Sequence, residues 1–194
     1  MTALARVLAG ILGVAYPVLV YYGLVHWSPR RVAVLVIVAV AVLAILRWRG
    51  LDRAHAGAAI GPLLAPIALG VVTAATGDPR ALLVAPVLIS LALFVTFALS
   101  LRPGRMPMVE RFARLQEGDR LPARAVPYCR RVTQVWLGFF AVNAVIAGAL
   151  ALFASQAWWA LYTGGIAYAL IGTIFAIELV VRRIRIRRDA QEAA

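Results

Sequence analysis

Apolar residues concentrate in six stretches along the chain, and most charged residues fall in the segments between them. The stretches are Ala3–Leu24, Val32–Leu46, Gly57–Ala75, Ala81–Leu101, Val132–Ala154 and Trp158–Val181. A helix rises about 1.5 Å per residue, so crossing a hydrocarbon core of about 30 Å takes about 20 residues. The pattern predicts an all-α membrane protein, a six-helix transmembrane bundle built as a single integral membrane domain over residues 1–194. Val32–Leu46 is the weakest stretch, reaching only about 22 Å. Trp27 and Trp48 bracket it at interfacial spacing and Arg47 can snorkel, which favours a full span; five spans is the alternative.

One substantial polar segment interrupts this series, the loop 102–131 between the fourth and fifth stretches. Met108, Val109, Phe112 and Leu115 recur there at helical spacing, while Glu110, Arg111, Arg114 and Glu117 take the other face. Pro107 suits a first helical turn and Gly118 a stop. The expected element is a short amphipathic helix on the membrane surface, followed by an extended, Pro-punctuated run, LPARAVPY. Residues 182–194 read as a polar tail.

Composition agrees with the segmentation. Of the 194 residues, 63% are hydrophobic and 14% charged, and mean hydropathy is +0.89, whereas a soluble domain carries about a quarter charged residues. The net charge is +12, and all twenty basic residues are arginine. With six spans and the N-terminus inside, seventeen arginines fall on the cytoplasmic side and three (Arg30, Arg31 and Arg80) outside. Basic residues favour cytoplasmic loops, so the chain reads as a bacterial inner-membrane protein with both termini and the 102–131 loop in the cytoplasm. Nucleic-acid binding is not expected, because no basic stretch is interleaved with stacking aromatics on a soluble module. The N-terminal stretch continues into bulky Tyr21 and Tyr22 without a small-x-small site, so it reads as a retained helix rather than a cleaved signal.

Chemistry-bearing motifs are scarce. HExxH, GxSxG and the P-loop pattern do not occur, and His26 and His55 fall on opposite sides of the expected membrane. Neither a metal nor a cofactor is expected. The single cysteine, Cys129, stands beside Arg130 and Arg131, a setting that lowers a thiol pKa in principle, but no base is specified for it. Glu178 is the one acid inside a predicted span, and Asn143 is an amide in the middle of another. Glu178 is read either as a helix-end ion pair with Arg182 and Arg131, or as a headgroup, substrate or proton contact. Asn143 is read as an interhelical hydrogen bond or as a polar point in a substrate path. Ala160, Gly164, Ala167 and Ile171 share the Glu178 face and would admit a neighbouring backbone; Gly57 and Gly61 form a G-x-x-x-G. Pro17, Pro62, Pro66 and Pro86 imply kinks or freed carbonyls.

The blocks ERFARLQ and YCRRVTQVWLGFF, with Asn143 and the closing WALYTGGIAY and FAIELVVRR, resemble a family of small bacterial membrane proteins. Its members are encoded in clusters for aryl-polyene or xanthomonadin-type pigments and related fatty-acid-like products. The resemblance covers roughly the C-terminal half, and Thr163 stands near where that pattern would place an asparagine. It implies a membrane-bound accessory to acyl-chain assembly on an acidic acyl carrier protein, or to transfer of the product to lipid, and it carries no catalytic residues.

The leading expectation is therefore a non-enzymatic accessory protein. It would present Arg111, Arg114, Arg120, Arg124, Arg130 and Arg131 to an acidic carrier protein or to anionic headgroups of the membrane lipids. A transporter or flippase of a lipid or amphiphile, with Asn143 and Glu178 along helices 5 and 6, is the second reading. A membrane enzyme acting on lipid is the third.

Overall fold

A computed structural model describes residues 16–48, 67–117 and 125–192. The first part of the first stretch, His55, Gly57, Gly61, Pro62, Pro66, Gly118, Arg120 and Arg124 lie outside the described residues. What is described is helical, joined by short turns. In chain order the helices are α1 (16–26), α2 (Pro29–Trp48), α3 (Ile67–Thr76), α4 (Arg80–Leu83), α5 (Ala85–Ser100), α6 (Met108–Glu117), α7 (Val126–Phe153), α8 (Gln156–Leu161) and α9 (Ala167–Glu192). A wide π-turn, Tyr162–Ile166, joins α8 to α9.

Among the described residues, three helical stretches are long and apolar enough to cross a membrane: Arg80–Ser100, Val126–Phe153 and Gln156–Arg185. Only 28%, 28% and 6% of their apolar windows are buried, so most of that apolar surface points outward. Water would penalise such a surface, whereas hydrocarbon would not. α2, at 20 residues, is about 30 Å long, which meets the length that its uncharged core alone falls short of.

Two element boundaries differ from the sequence reading. α7 starts at Val126 rather than near residue 132. Pro127 sits in its first turn, where a missing N–H leaves no hydrogen bond unmade, so the end of LPARAVPY is helical rather than extended. Arg130 and Arg131 consequently stand on α7. The tail is helical too, because α9 continues to Glu192.

The contacts divide into two compact units. Among the described residues, one comprises those up to Ile89 with Ala144–Gly164, and the other those of Ser90–Asn143 and from Gly165 onward.

The first unit packs around Val20, Val32, Leu82, Leu83, Ala151, Trp159 and Ala160, and its central joint follows from Pro86. Proline has no N–H, so the carbonyl four residues earlier, on Leu82, loses its helical partner. The helix breaks at Val84, and the Val87 N–H bonds back to the Val84 carbonyl, which leaves Leu83 in the same position. Both carbonyls are taken by aromatic donors from other helices. Tyr16 Oη donates to the Leu82 oxygen at 2.9 Å, and Trp159 Nε1 donates to the Leu83 oxygen at 3.0 Å. The carbonyls expected to be freed by Pro86 thus act as docking points for α1 and α8.

The turns of this unit are chemically specified. Gly77, at φ +76°, ends α3 with its N–H on the Thr73 carbonyl at 2.8 Å, a left-handed position that favours glycine. In the turn that leads into α4, Asp78 Oδ1 accepts from the Arg80 N–H at 2.9 Å. Ser155 caps α8, its hydroxyl accepting from the Trp158 N–H. Gly164 faces α1, where a Cβ would come within 3.2 Å of Val18 and 3.4 Å of Pro17. The small-residue face of the last helix does admit a close neighbour at this point.

The second unit is built on aromatic rings. Phe97, Trp136 and Phe140 form its buried cluster, with Phe94, Met108, Val109, Val132, Ile171 and Ile174 packed against it. Trp136 lies 4.8 Å from Phe175 and 5.7 Å from Phe140, centroid to centroid, and Phe97 meets Phe140 edge-on at 5.1 Å. These separations lie in the favourable range for aromatic pairs.

Candidate functional site

The helix predicted in the polar loop exists as α6, and the second unit holds it in a defined orientation. A helix begins with amide groups that have no partner inside it. Here the Met108 N–H donates to Ser100 Oγ at 3.1 Å, and the Val109 N–H donates to Thr133 Oγ1 at 3.2 Å. Each hydroxyl in turn donates to its own helix: Ser100 to the Phe97 carbonyl and Thr133 to the Cys129 carbonyl, both at 2.7 Å. The ends of α5 and α7 therefore cap α6 jointly. Arg130 adds a brace, its Nη2 donating to the Leu101 carbonyl at 2.7 Å beyond the end of α5, where a cation also suits the helix dipole.

The faces of α6 are oriented less simply than its periodicity suggests. Met108 and Val109 pack on the aromatic cluster, but Glu110 is buried at 5% exposure. Its carboxylate is held by Arg114, with Nε at 2.9 Å and Nη2 at 2.8 Å from one oxygen. A buried carboxylate needs such a partner. Further along the helix, Phe112 is 53% exposed and Leu115 is 78% exposed. The apolar stripe starts in the core and emerges from it, with Arg111 exposed alongside.

The predicted arginines thus separate into distinct roles. Arg114 is committed to Glu110, and Arg130 reaches the Leu101 carbonyl while its residue remains exposed. Arg111 and Arg131 are exposed, as are Arg102 and Arg105 in the turn before α6. Sequence reasoning passed over Ser100 and Thr133. Their signal is faint, a single hydroxyl at the end of each of two apolar stretches. Replacing Thr133 by valine keeps its shape and deletes the acceptor, and losing a cap of this kind costs about 1 kcal/mol. The expected result is faster hydrogen–deuterium exchange across 108–117 with the rest of α7 unchanged, read by mass spectrometry of the solubilised protein.

Cys129 is buried at 4% exposure, in the turns of α7 that precede the apolar stretch. Burial pushes its thiol above the usual range, and the Glu110 carboxylate adds to the effect. This is opposite to the lowering that its arginine neighbours suggested. Burial dominates because a thiolate would have to form away from water. Nearby, Tyr128 Oη donates to the Glu178 carbonyl oxygen at 3.4 Å, and the Arg185 guanidinium stands over the Tyr128 ring at 4.6 Å. Burial raises the Tyr128 hydroxyl pKa, with the half-buried Glu178 carboxylate next in effect. Arg131, an expected partner for Glu178, is exposed, and Arg114 pairs with Glu110.

Asn143 donates from Nδ2 to Ser90 Oγ at 2.8 Å, linking α7 to α5. Thr163, inside the π-turn, donates to the Trp159 carbonyl at 2.7 Å.

The described features combine a capped helix, an exposed apolar edge and neighbouring guanidinium groups. No family model, curated protein or solved structure matches the chain, so its function has to be argued from the chemistry of this surface.

Proposed function

We propose that the chain is a multi-pass protein of the bacterial inner membrane, with both termini and the α6 loop in the cytoplasm. It acts there as a non-enzymatic accessory to acyl-chain assembly of the aryl-polyene type. Its working surface is α6 with the arginines around it, which receives an acidic acyl carrier protein or anionic lipid headgroups. The observation that carries this reading is the exposure of Phe112 and Leu115 beside Arg111 on a helix whose first turn is fixed by Ser100, Thr133 and the aromatic cluster. The distribution of arginines supports the orientation, and the resemblance of Met106–Phe140 to proteins of pigment clusters supports the context.

The test is retention of an acyl carrier protein on the solubilised chain. Wild type holds it at low salt and releases it as salt screens the charges. Two exposed ion pairs at about 0.7 kcal/mol each amount to roughly tenfold in affinity, so Arg111→Gln with Arg131→Gln weakens retention by that factor. Equal retention by both proteins at low salt rejects the carrier arm, and equal binding of phosphatidylglycerol by both rejects the lipid arm.

A further inference from the structure

α6 leaves the second unit at the level where two apolar stretches end. Its first two free amides are received by Ser100, the last residue of α5, and Thr133, next to the start of the apolar part of α7. On the same two helices Val95, five residues before Ser100, and Val135, two residues after Thr133, are more than half exposed, as expected of surface that faces hydrocarbon. The exposed edge of α6 is therefore continuous in depth with the lipid-facing surface of its own unit. Phe112 and Leu115 lie three residues apart on one side of the helix, and Arg111 is one turn before Leu115. Glu110, one of the two acids of α6, is turned inward and paired with Arg114.

We propose that α6 is seated in the leaflet it borders. Phe112 and Leu115 enter the acyl-chain boundary, and Arg111 and Arg105 engage the phosphates of anionic lipids. This rests on the docking reading above and names the lipid membrane as the occupant of the apolar edge. Lipid is favoured over a soluble carrier by depth, because the edge starts where the membrane-crossing stretches stop, and by charge, because Arg102, Arg105 and Arg111 are exposed beside it. A rigid cap at the N-terminal end and lipid beneath the apolar stripe fix the helix on two sides.

The experiment places a nitroxide on Leu115→Cys, and separately on Phe112→Cys, in the full chain. Each is reconstituted into phosphatidylcholine vesicles with and without phosphatidylglycerol. Oxygen, which concentrates in hydrocarbon, is expected to relax both labels severalfold more effectively than a water-soluble nickel chelate. Arg105→Gln with Arg111→Gln is expected to lower, severalfold, the phosphatidylglycerol retained through purification. Labels at both positions that respond mainly to the nickel chelate overturn the proposal. If they then become shielded when an acyl carrier protein is added, the carrier occupies the edge and the docking reading stands without this inference. If they stay exposed and the chain retains neither carrier nor phosphatidylglycerol, both readings fail.

Discussion

Trp159→Ala is expected to give the largest loss of stability available in the first unit. Trp159 has no exposed surface, and it joins Val20, Leu82 and Leu83 while its ring nitrogen satisfies the Leu83 carbonyl. Truncating a buried tryptophan to alanine costs about 3–5 kcal/mol in lost packing and residual cavity. The orphaned carbonyl adds to this, because Val87 has already turned to Val84 and no N–H is left to replace the indole. Trp159→Phe separates the two contributions, keeping most of the ring while losing the donor. Hydrogen bonds between helices in a membrane contribute about 0.6–1.7 kcal/mol, so the phenylalanine variant should lie well above the alanine one. Unfolding by sodium dodecyl sulfate, followed by circular dichroism, gives the order wild type, Trp159→Phe, Trp159→Ala. Equal stability of all three would mean that the joint at Pro86 does not hold the unit together.

Trp136→Ala is the corresponding expectation for the second unit. Its ring is 7% exposed and meets Phe139, Phe140 and Phe175 within 6 Å, centroid to centroid. Removing it costs about 3–5 kcal/mol by packing, and each lost ring pair accounts for about 0.5–1.5 kcal/mol beyond buried area. Met108 and Val109 pack on the same cluster, so the damage should reach α6. Deuterium exchange over 108–117 is expected to accelerate together with the fall in global stability, whereas Trp159→Ala tests the joint of the other unit. If Trp136→Ala left α6 protected, its seat on the aromatic cluster would be shown to contribute little.

Much of this was legible in the sequence, for identifiable reasons. Apolar runs report helices because each backbone group satisfies itself within the segment, so length and hydropathy suffice. The freed carbonyls at Pro86 could be anticipated because the missing N–H is a property of one residue. Their partners could not, because Tyr16 and Trp159 lie 66 and 76 positions away from the oxygens they meet. α6 shows the same division. Its periodicity located the helix and sorted its faces, but periodicity does not say which face meets the protein. The outcome turned on Glu110 finding Arg114 one turn away, a pairing that let a charge go inward and left Phe112 and Leu115 outside. Asn143 was recognisable as a residue needing a partner, and only the fold supplied Ser90. Arg130 and Arg131 were assigned to a loop because prolines were read as extended punctuation, although Pro127 falls where a helix tolerates one best.

The concealment of Cys129 has a practical consequence. The chain contains one sulfhydryl, and it is enclosed at the foot of α7, with the Glu110 carboxylate near enough to disfavour its ionised form. An impermeant maleimide added to intact cells should therefore report on cysteines introduced elsewhere, with the native residue left in place as a silent background. The same residue serves as a clock for local opening at the foot of α7, since its alkylation has to wait until the buried thiol meets solvent.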